Sequence, residues 1–393
     1  MDDVLVSFMS RKMIFSGPSA LAALLTLVLC LWSAPGIAQD QKVSTPDELR
    51  QALASSTGGI ILLAPGDYGD LQLSKRRYDT PVVLKSEVPR RAVFNEILLA
   101  DSANLQFIDL ATHSKFRVDR STDLVISGCQ IGNMLYFRKV KRLKVAHCDV
   151  TGERFGVLFN TVSDFEIRHS QIGGVTEDVM RITGDSRRGL VEYNILADTI
   201  AQRPTHPDMI QTFSADGGTP SDITIRANLI YDDPETGGVV AQGIFMAGGG
   251  TSGYRNILLE QNLLYTGSAN TIFIGGGQEK VIIRNNTLIP TKADGGAIIR
   301  LSGFKGFNNS GTMVSGNIAK LLKDETQKSK IQRNYFFGRN AALARLFSGR
   351  GDRWQDFLPA AGSAAEKSGM GAREFLQELA DGRARLGPDW LEN

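Results

Sequence analysis

A repeated strand-bend-strand pattern constrains this chain more than any other feature of its sequence. The pattern is apolar-x-apolar-x-x-(Asn or small)-x-apolar, and its copies recur at intervals of 19 to 34 residues. Clear copies occupy residues 124–131, 143–150, 165–172, 223–230, 257–264 and 281–288, and weaker copies end at Asn317 and Asn334. The segment around Tyr193 and Asn194 fits one residue out of register, which predicts one irregular coil. Self-similarity at such short periods is typical of solenoids.

Each copy predicts a short strand, a tight bend and a second short strand. Alternate apolar residues point to one side of a strand, so they can form the core of a coil. Asn suits the bend because it tolerates left-handed backbone, and Asn side chains on coils about 4.8 Å apart can form a hydrogen-bonded ladder. An antiparallel β-sandwich is disfavoured by the long repeats and the scarcity of Asn-Gly and Asp-Gly hairpin turns. The pattern therefore predicts an all-β parallel β-helix.

Residues 1–38 have the features of a signal peptide. Arg11 and Lys12 precede an apolar run of 13 residues, and Gly36 and Ala38 are the small residues that a cleavage site needs. A membrane-spanning helix needs about 20 apolar residues, so a retained anchor is the weaker interpretation. We therefore expect a secreted or periplasmic protein with no membrane span after signal removal.

The rest of the chain predicts one solenoid domain with covered ends. Thr45, Pro46 and Glu48 form a capping-box pattern that begins a short amphipathic helix. Beyond Asn340 the apolar spacing becomes helical. The expected organisation is a signal peptide at residues 1–38, a parallel β-helix at 39–340 and a C-terminal helical cap at 341–393.

Charge and cysteine content narrow the partners and the chemistry. The net charge is +2 with 22% charged residues, whereas a nucleic-acid-binding protein would usually have a strong basic excess. We expect a monomer without a nucleic-acid partner. Cys129 and Cys148 occupy the same place on successive copies, where either a disulfide or two buried thiols is compatible with the expected spacing.

A second series of strands lies between the repeats and predicts the functional face. Its members are residues 133–137, 155–159, 178–182, 208–212, 242–246, 270–274 and 297–301. Aligned on one another, they point Leu135, Val157, Met180, Ile210, Ile244, Ile272 and Ile299 into the core. The outward neighbours, which we call the outer row, are Tyr136, Leu158, Arg181, Gln211, Phe245, Phe273 and Arg300. Arginines and aromatic rings in one line predict sugar stacking with recognition of negative charge, although Phe245 and Phe273 can also lie under a loop.

The middle of this series carries the densest cluster of reactive side chains. Histidine exchanges protons near neutral pH, so we assign His206 as a base, with Asp208 to orient it. Arg181 can neutralise a substrate carboxylate, and Tyr136 or Arg203 is assigned a supporting catalytic role. The predicted substrate-binding residues are Asp178, Arg203, Gln211, Phe245, Phe273 and Arg300.

Two other functions stay open from the residues alone. Asp178 and Asp208 can form the carboxyl pair of a glycoside hydrolase. The chain can also be a non-catalytic protein that binds or exports a polysaccharide. We assign no metal site and no cofactor, although calcium is compatible with Asp232, Asp233 and Glu235, whose loop is equally compatible with solvated acids.

Residues 58–68, Gly-Gly-Ile-Ile-Leu-Leu-Ala-Pro-Gly-Asp-Tyr, precede the asparagine-bearing coils. This arrangement resembles the pectate-lyase-like superfamily of right-handed parallel β-helices, and within it the alginate and chondroitin lyases and the mannuronan C5-epimerases. The resemblance covers residues 40–340. It implies an acidic polysaccharide substrate and either of two reactions at C5 of a uronic acid. We favour a lyase that cleaves by β-elimination, with a C5-epimerase as the alternative.

The resemblance does not assign residue roles. Epimerases of this group carry an Asp-Pro-His motif, whereas this chain has the reversed order at His206, Pro207 and Asp208. The catalytic assignments above therefore rest on the chemistry of the side chains.

Overall fold

The described residues of the computed structural model form three parallel β-sheets, and the chain winds through all three in successive coils. The structure describes residues 40–201, 205–232, 240–248, 253–291, 296–303, 309–338, 343–349 and 351–390. The predicted signal peptide lies outside these residues, as do Arg203, Asp233 and Glu235. Within the described ranges no helix is long and apolar enough to cross a membrane.

A full coil contributes one strand to each sheet, and we name the sheets A, B and C in the order in which a coil visits them. The 13 strands of sheet A in the described residues are Gln41–Val43, Gly59–Leu63, Arg77–Ser86, Ala103–Ile108, Thr122–Ser127, Lys141–Ala146, Ser163–Arg168, Arg187–Glu192, Ser221–Arg226, Tyr254–Glu260, Gln278–Arg284, Met313–Ser315 and Lys330–Gln332. The 12 described strands of sheet B are Gly66–Asp67, Ala92–Phe94, Ala111–Thr112, Gln130–Ile131, Asp149–Thr151, Gln171–Val175, Ile195–Thr199, Leu229–Tyr231, Leu263–Thr266, Thr287–Pro290, Ile318–Ala319 and Tyr335–Phe336. The 11 described strands of sheet C are Leu71–Ser74, Ile97–Ala100, Phe116–Asp119, Leu135–Arg138, Val157–Asn160, Met180–Thr183, Asp208–Phe213, Gln242–Met246, Ile272–Ile274, Ile298–Leu301 and Leu321–Asp324.

The core of the solenoid follows from the alternation of apolar residues. Leu124 and Ile126 are buried on one coil, and their parallel partners Leu143 and Val145 are buried on the next. The intervening residue Val125 faces outward, as alternation in a strand requires. The prediction of an all-β, right-handed parallel β-helix is confirmed.

The predicted asparagine ladder is present in the bend between sheets A and B. Its members are Asn194, Asn228, Asn262, Asn286, Asn317 and Asn334. Each Nδ2 donates to Oδ1 of the next member at 2.9 or 3.0 Å. Each Oδ1 also accepts the backbone N–H of the ladder residue before it, for example from Asn228 to Asn262 at 3.2 Å. Buried amides are therefore satisfied from coil to coil.

The prediction that the ladder residue itself adopts left-handed backbone was wrong. The residue before it does so, with φ of 56° at Tyr193, 57° at Gln261 and 54° at Asn285. Two successive residues of the bend therefore have different functions. One residue turns the chain, and the next points its side chain inward to bond the neighbouring coil.

The predicted irregular coil at Tyr193 and Asn194 is also wrong, because this coil is in register with its neighbours. Val191 pairs with Ile167 on the coil before it, and Asn194 joins the ladder. The first apolar place of this copy is filled by Gly189, where a Cβ would lie 2.2 Å from Cζ of Phe165. The Phe165 ring takes the space that a side chain at position 189 would need, so the coil keeps its register without an apolar residue there.

Cys129 and Cys148 hold the ladder position on two successive earlier coils. Both are free, buried thiols, and Sγ of Cys129 donates to the carbonyl oxygen of Ser127 at 3.4 Å. Burial raises the pKa of the Cys129 thiol well above its ordinary value, which favours the unreactive protonated form. The structure therefore has the two buried thiols and not the disulfide.

Helical segments flank the solenoid at both ends of the chain. Helix α1, Pro46–Ser55, begins at Thr45, whose side chain accepts the N–H of Glu48, and its buried face joins the core. After the last strand come the 3₁₀ turns Leu343–Arg345 and Trp354–Phe357 and the helices α2, Ala364–Ser368, and α3, Arg373–Ala380. This C-terminal segment packs on the outside of sheet B, where Phe375 and Leu379 share an apolar cluster with sheet B residues such as Leu229. It extends back along the sheet until Nε1 of Trp390 donates to the carbonyl oxygen of His147 at 3.0 Å.

Candidate functional site

The outer row lies on sheet C in the register that the sequence alignment predicts. Tyr136, Leu158, Arg181, Gln211, Phe245, Phe273 and Arg300 pair consecutively from coil to coil. The row continues beyond Tyr136 to Arg117 and beyond Arg300 to Lys323. The apolar residue before each member, such as Met180 or Ile244, is fully buried. One face of sheet C therefore presents a line of polar, basic and aromatic side chains.

Asp208 is the electrostatic centre of the site. Its side chain is completely buried, and its two oxygens accept Nε2 of Gln211 at 2.7 Å and Nε2 of Gln242 at 2.9 Å. Burial, followed by the charge of Asp178, raises the pKa of Asp208 to about 8. At neutral pH this carboxyl is therefore held mainly in its uncharged form.

Asp178 lies one coil before Asp208 and ties the two strands together. Its Oδ1 accepts the backbone N–H of Asp208 at 2.9 Å, and its Oδ2 accepts Nε of Arg181. Burial raises the pKa of Asp178 against the lowering effect of Arg181. Two carboxyl groups thus stack on neighbouring coils, where two negative charges would repel each other.

Arg181 is held rigidly between acidic and aromatic groups. Besides Asp178 it reaches Glu177, with Nη2 3.4 Å from Oε2. The guanidinium carbon lies 4.1 Å from the ring centre of Phe155 and 5.9 Å from that of Phe213. In the described residues no hydrogen bond engages Nη1, so this edge of the guanidinium is available to a ligand.

His206 lies two residues before Asp208, the first residue of its sheet C strand. Its side chain is 71% exposed, and Nδ1 is 4.0 Å from Oδ1 of Asp208, which is beyond hydrogen-bonding distance. Nε2 of Gln242 lies 3.2 Å from both ring nitrogens of His206, next to its own bond to Asp208. The amide of Gln242 therefore connects the exposed imidazole to the buried carboxyl.

Gln242 and Asn270 are site residues that the sequence analysis did not select. Nδ2 of Asn270 donates to Oε1 of Gln242 at 2.5 Å, which turns the amide nitrogen of Gln242 toward Asp208 and His206. Asp178, Asp208, Gln242 and Asn270 each begin one of the aligned strands, so they form a polar row beside the outer row. The signal was present in the alignment. An amide side chain does not titrate, so neither Gln242 nor Asn270 has the acid-base chemistry by which the other site residues were identified.

The aromatic part of the outer row follows directly on Gln211. The rings of Phe245 and Phe273 stack at 4.8 Å between centres, and both remain partly exposed. The guanidinium carbon of Arg300 is 5.7 Å from the ring centre of Phe273, and Nε of Arg300 donates to Glu325 at 2.8 Å. These side chains form a platform with an apolar surface and one basic end.

Tyr136 lies three coils from the strand that follows His206, through Leu158 and Arg181. The guanidinium carbon of Arg117 is 5.2 Å from the centre of its ring. The structure thus places Asp208 against Asp178 and Gln211, with His206 on the side of the following coil and Arg181 on the coil before. It leaves Tyr136 and Arg300 at opposite ends of the row.

The acidic loop proposed for calcium is only partly described. Asp232 is buried, and its carboxylate accepts the N–H groups of Thr199 at 3.0 Å and Ala241 at 2.7 Å, which explains it as a structural residue. Among the described residues no group of three or more His, Cys, Asp or Glu side chains is arranged to hold a metal ion.

Comparisons with known proteins identify the fold. No protein-family model and no curated protein matches the chain. The A-module of Azotobacter vinelandii mannuronan C-5 epimerase AlgE4 matches with a TM-score of 0.54 and 12% identity, over 75% of this chain and 96% of that module. The Dettilon tailspike protein matches with a TM-score of 0.47 and 13% identity, over 73% of this chain and 64% of that one. The PL6 family alginate lyase AlyGC matches with a TM-score of 0.42 and 14% identity, over 73% of this chain and 40% of that one.

The predicted resemblance to the right-handed β-helices is therefore confirmed for the fold. At these identities residue roles are not carried from one protein to another. The chemistry has to be argued from the site itself.

Proposed function

We propose that this protein is a polysaccharide lyase that removes the C5 proton of a uronic acid and cleaves the polymer by β-elimination. The position of His206 carries the proposal, because an exposed imidazole stands beside the buried carboxyl of Asp208, one coil from Arg181. Removing a proton next to a carboxylate needs a base and a positive charge that reach the same sugar. We assign the base to His206, which precedes one strand of sheet C, and the positive charge to Arg181 on the neighbouring strand.

His206 is the proposed base. Its exposure allows contact with a sugar lying on sheet C, and the amide nitrogen of Gln242 lies 3.2 Å from both nitrogens of its ring. When His206 takes the C5 proton it becomes a cation 4.0 Å from Oδ1 of Asp208. The ionised form of Asp208 stabilises that cation, so Asp208 acts on the imidazolium and not on the sugar. The imidazolium then gives its proton to the glycosidic oxygen as the C4–O bond breaks, which returns His206 to its neutral form.

Arg181 is the proposed partner of the uronate carboxylate. Neutralising that group acidifies the C5 proton, and a guanidinium edge fits a carboxylate well. Asp178 contributes by holding Arg181 in place. Arg203 stays a proposed substrate contact, although it lies outside the described residues.

The rest of the outer row is proposed to bind the polymer on both sides of the reacting sugar. Gln211 sits beside Arg181, and Phe245 and Phe273 offer ring faces for stacking. Tyr136 and Arg300 are distant enough from His206 that their proposed role is binding. A secreted or periplasmic location agrees with a polymeric substrate.

The hydrolase alternative has less support in the geometry. A glycosidase needs one carboxyl to protonate the leaving oxygen and another to attack or activate water. Both oxygens of Asp178 and both oxygens of Asp208 already accept protein N–H groups, and both side chains are buried. Neither is presented to a sugar.

Incubation with a panel of acidic polysaccharides tests the proposal. A lyase produces the ultraviolet absorbance of an unsaturated uronate together with new chain ends. A C5-epimerase shares the first step but exchanges the C5 proton with solvent without cleavage. New reducing ends without either signal would mean hydrolysis and would overturn the proposal.

A further inference from the structure

The outer row also carries information about how densely its polymer is charged, provided that the proposed function is correct. Neighbouring strands of the solenoid are about 4.8 Å apart. A pyranose unit has a similar length, so a polysaccharide lying along sheet C places about one sugar over each coil. Each member of the row then faces one sugar.

Positive charges in the row are widely spaced. Between Arg181 and Arg300 the row contains only Gln211, Phe245 and Phe273, which carry no charge. On the other side, Leu158 and Tyr136 separate Arg181 from Arg117. From Arg117 to Arg300 a carboxylate partner therefore recurs only at every third or fourth coil of the row, and the first exception in the described residues is Lys323, on the coil after Arg300.

Three of the basic side chains in or beside the row are already paired with acids. Arg300 bonds Glu325, with Nη2 2.7 Å from Oε1, and Arg138 bonds Asp119, with Nη2 2.6 Å from Oδ2. Arg181 is shared with Asp178 and Glu177. Between Arg117 and Lys323 the row therefore has little spare positive charge for a polymer that carries a carboxylate on every sugar.

The stacked rings disfavour a carboxylate more directly. A charged group placed over Phe245 or Phe273 loses water without gaining a hydrogen-bonding partner, which is costly. The C–H face of a neutral sugar, in contrast, gains from contact with an aromatic ring. The coils that carry Phe245 and Phe273 therefore favour uncharged sugars.

We infer that the substrate is an acidic heteropolysaccharide in which neutral sugars separate the uronates, with one uronate in about three or four sugars. A homopolymer of uronic acid fits the row poorly, because most of its carboxylates would face Phe245, Phe273, Leu158 or Tyr136. The row thus recognises the spacing of the charges as well as their sign.

The test compares two kinds of polymer. Polygalacturonate and polymannuronate carry a carboxylate on every sugar, whereas gellan carries one glucuronate among neutral sugars. We expect kcat/KM to be at least tenfold higher on gellan-type polymers. We also expect KM to rise less than threefold between low and high salt, because few exposed ion pairs form. Equal or faster cleavage of the homopolymers would overturn the inference and leave the proposed lyase intact.

Binding separates the inference from the chemistry. Affinity is measured with the His206→Ala variant, which cannot turn the polymer over if the proposed function holds. The inference predicts binding to the heteropolysaccharide that falls at least tenfold when Phe245 and Phe273 are both replaced by Ser. The matched control is Phe336→Ser, an exposed phenylalanine of sheet B, which should leave binding unchanged. Such binding by a wild-type protein that forms no unsaturated ends and exchanges no C5 proton would support the inference and overturn the lyase. Absence of binding to either polymer class would overturn the inference.

Discussion

Charged residues stack from coil to coil on both sheet A and sheet C, but the pKa values of their carboxyl groups shift in opposite directions. On the outside of sheet A, acid and base alternate from coil to coil, so Asp123 meets Arg142 at 2.5 Å and Asp164 meets Arg188 at 2.5 Å. These arginines lower the pKa values of the two carboxyls. At sheet C, Asp178 and Asp208 follow each other, and burial raises the pKa of both.

The difference lies in alternation and burial and not in residue type. A solenoid brings residues in equivalent places of neighbouring coils within contact distance, so alternating charges attract and repeated charges repel. Sheet A uses the first arrangement at an exposed surface. Sheet C has repeated acidic residues at a buried position beside an exposed imidazole. Catalytic sites commonly shift the pKa values of their side chains in such surroundings.

The largest expected effect comes from removing the proposed base. His206→Ala should lower kcat by about a thousandfold, within the range usual for general acid-base catalysis. Because the side chain is 71% exposed, the melting temperature should stay within about 1 °C. Initial rates and thermal unfolding check both statements. A variant with more than half of the wild-type kcat would show that another group removes the proton.

The second expected effect separates activity from stability. Asp208→Asn should lower kcat between about tenfold and a hundredfold, because Asn cannot ionise to stabilise the imidazolium of His206. The same change should stabilise the fold at alkaline pH. The carboxyl ionises near pH 4 in the unfolded chain but near pH 8 in the folded protein, so wild-type stability falls as pH rises through that window.

Unfolding of Asp208→Asn and wild type between pH 4 and 9 checks the sign. The variant should match the wild type near pH 4 and exceed it by at least about 2 kcal/mol at pH 8. A difference that does not change with pH would mean that Asp208 is ionised throughout.

A smaller effect distinguishes two amides that both bond Asp208. Gln242→Met removes a bond to Asp208 together with the contact to His206, so kcat should fall about tenfold while KM changes less than twofold. Gln211→Met removes a bond to Asp208 from the outer row, so its main effect should be a higher KM. Steady-state kinetics at several substrate concentrations resolve the two patterns. If kcat and KM changed in the same way in both variants, the contact between Gln242 and His206 would have no separate role in catalysis.

The smallest effect is expected on sheet A. Asp164→Asn breaks an exposed ion pair with Arg188, so it should lower the free energy of unfolding by less than about 1 kcal/mol and leave kcat unchanged. This is the same substitution as Asp208→Asn, with the opposite sign of stability change at pH 8. Denaturant unfolding of the two variants side by side measures the contrast. A loss well above that value would show that the ion pairs on the outside of sheet A stabilise the fold more than exposed pairs usually do.

The repeat allowed the sheet C register to be predicted because a period of two leaves little choice for buried residues. The predicted irregularity at Asn194 was wrong because Gly189 leaves an apolar place empty and the ring of Phe165, on the coil before it, fills that place. A linear pattern does not contain such compensation between coils. The path of the C-terminal segment was beyond prediction for a similar reason, since it depends on the outward side chains of sheet B, such as Leu229 and Leu263.

At the site, the sequence predicted which side chains meet but not how they connect. Asp208 lies one coil after Arg181, as the alignment predicts, and His206 lies 4.0 Å from Asp208. The link between His206 and Asp208 runs through Gln242, which was aligned with Asp208 but lacks acid-base chemistry of its own. The pKa of Asp208 depends on burial, which a sequence does not specify residue by residue.

The most direct test of the account is deuterium incorporation at C5 of the uronate. Wild-type protein and His206→Ala are incubated with a uronate-containing polysaccharide in D₂O, and products are analysed by NMR and mass spectrometry. We predict that wild-type protein yields unsaturated uronate ends with loss of the C5 proton, or deuterium at C5 if the epimerase alternative holds. His206→Ala should yield neither. Cleavage by the wild-type protein that leaves every C5 proton in place would contradict the central claim that sheet C carries a site for C5 proton abstraction.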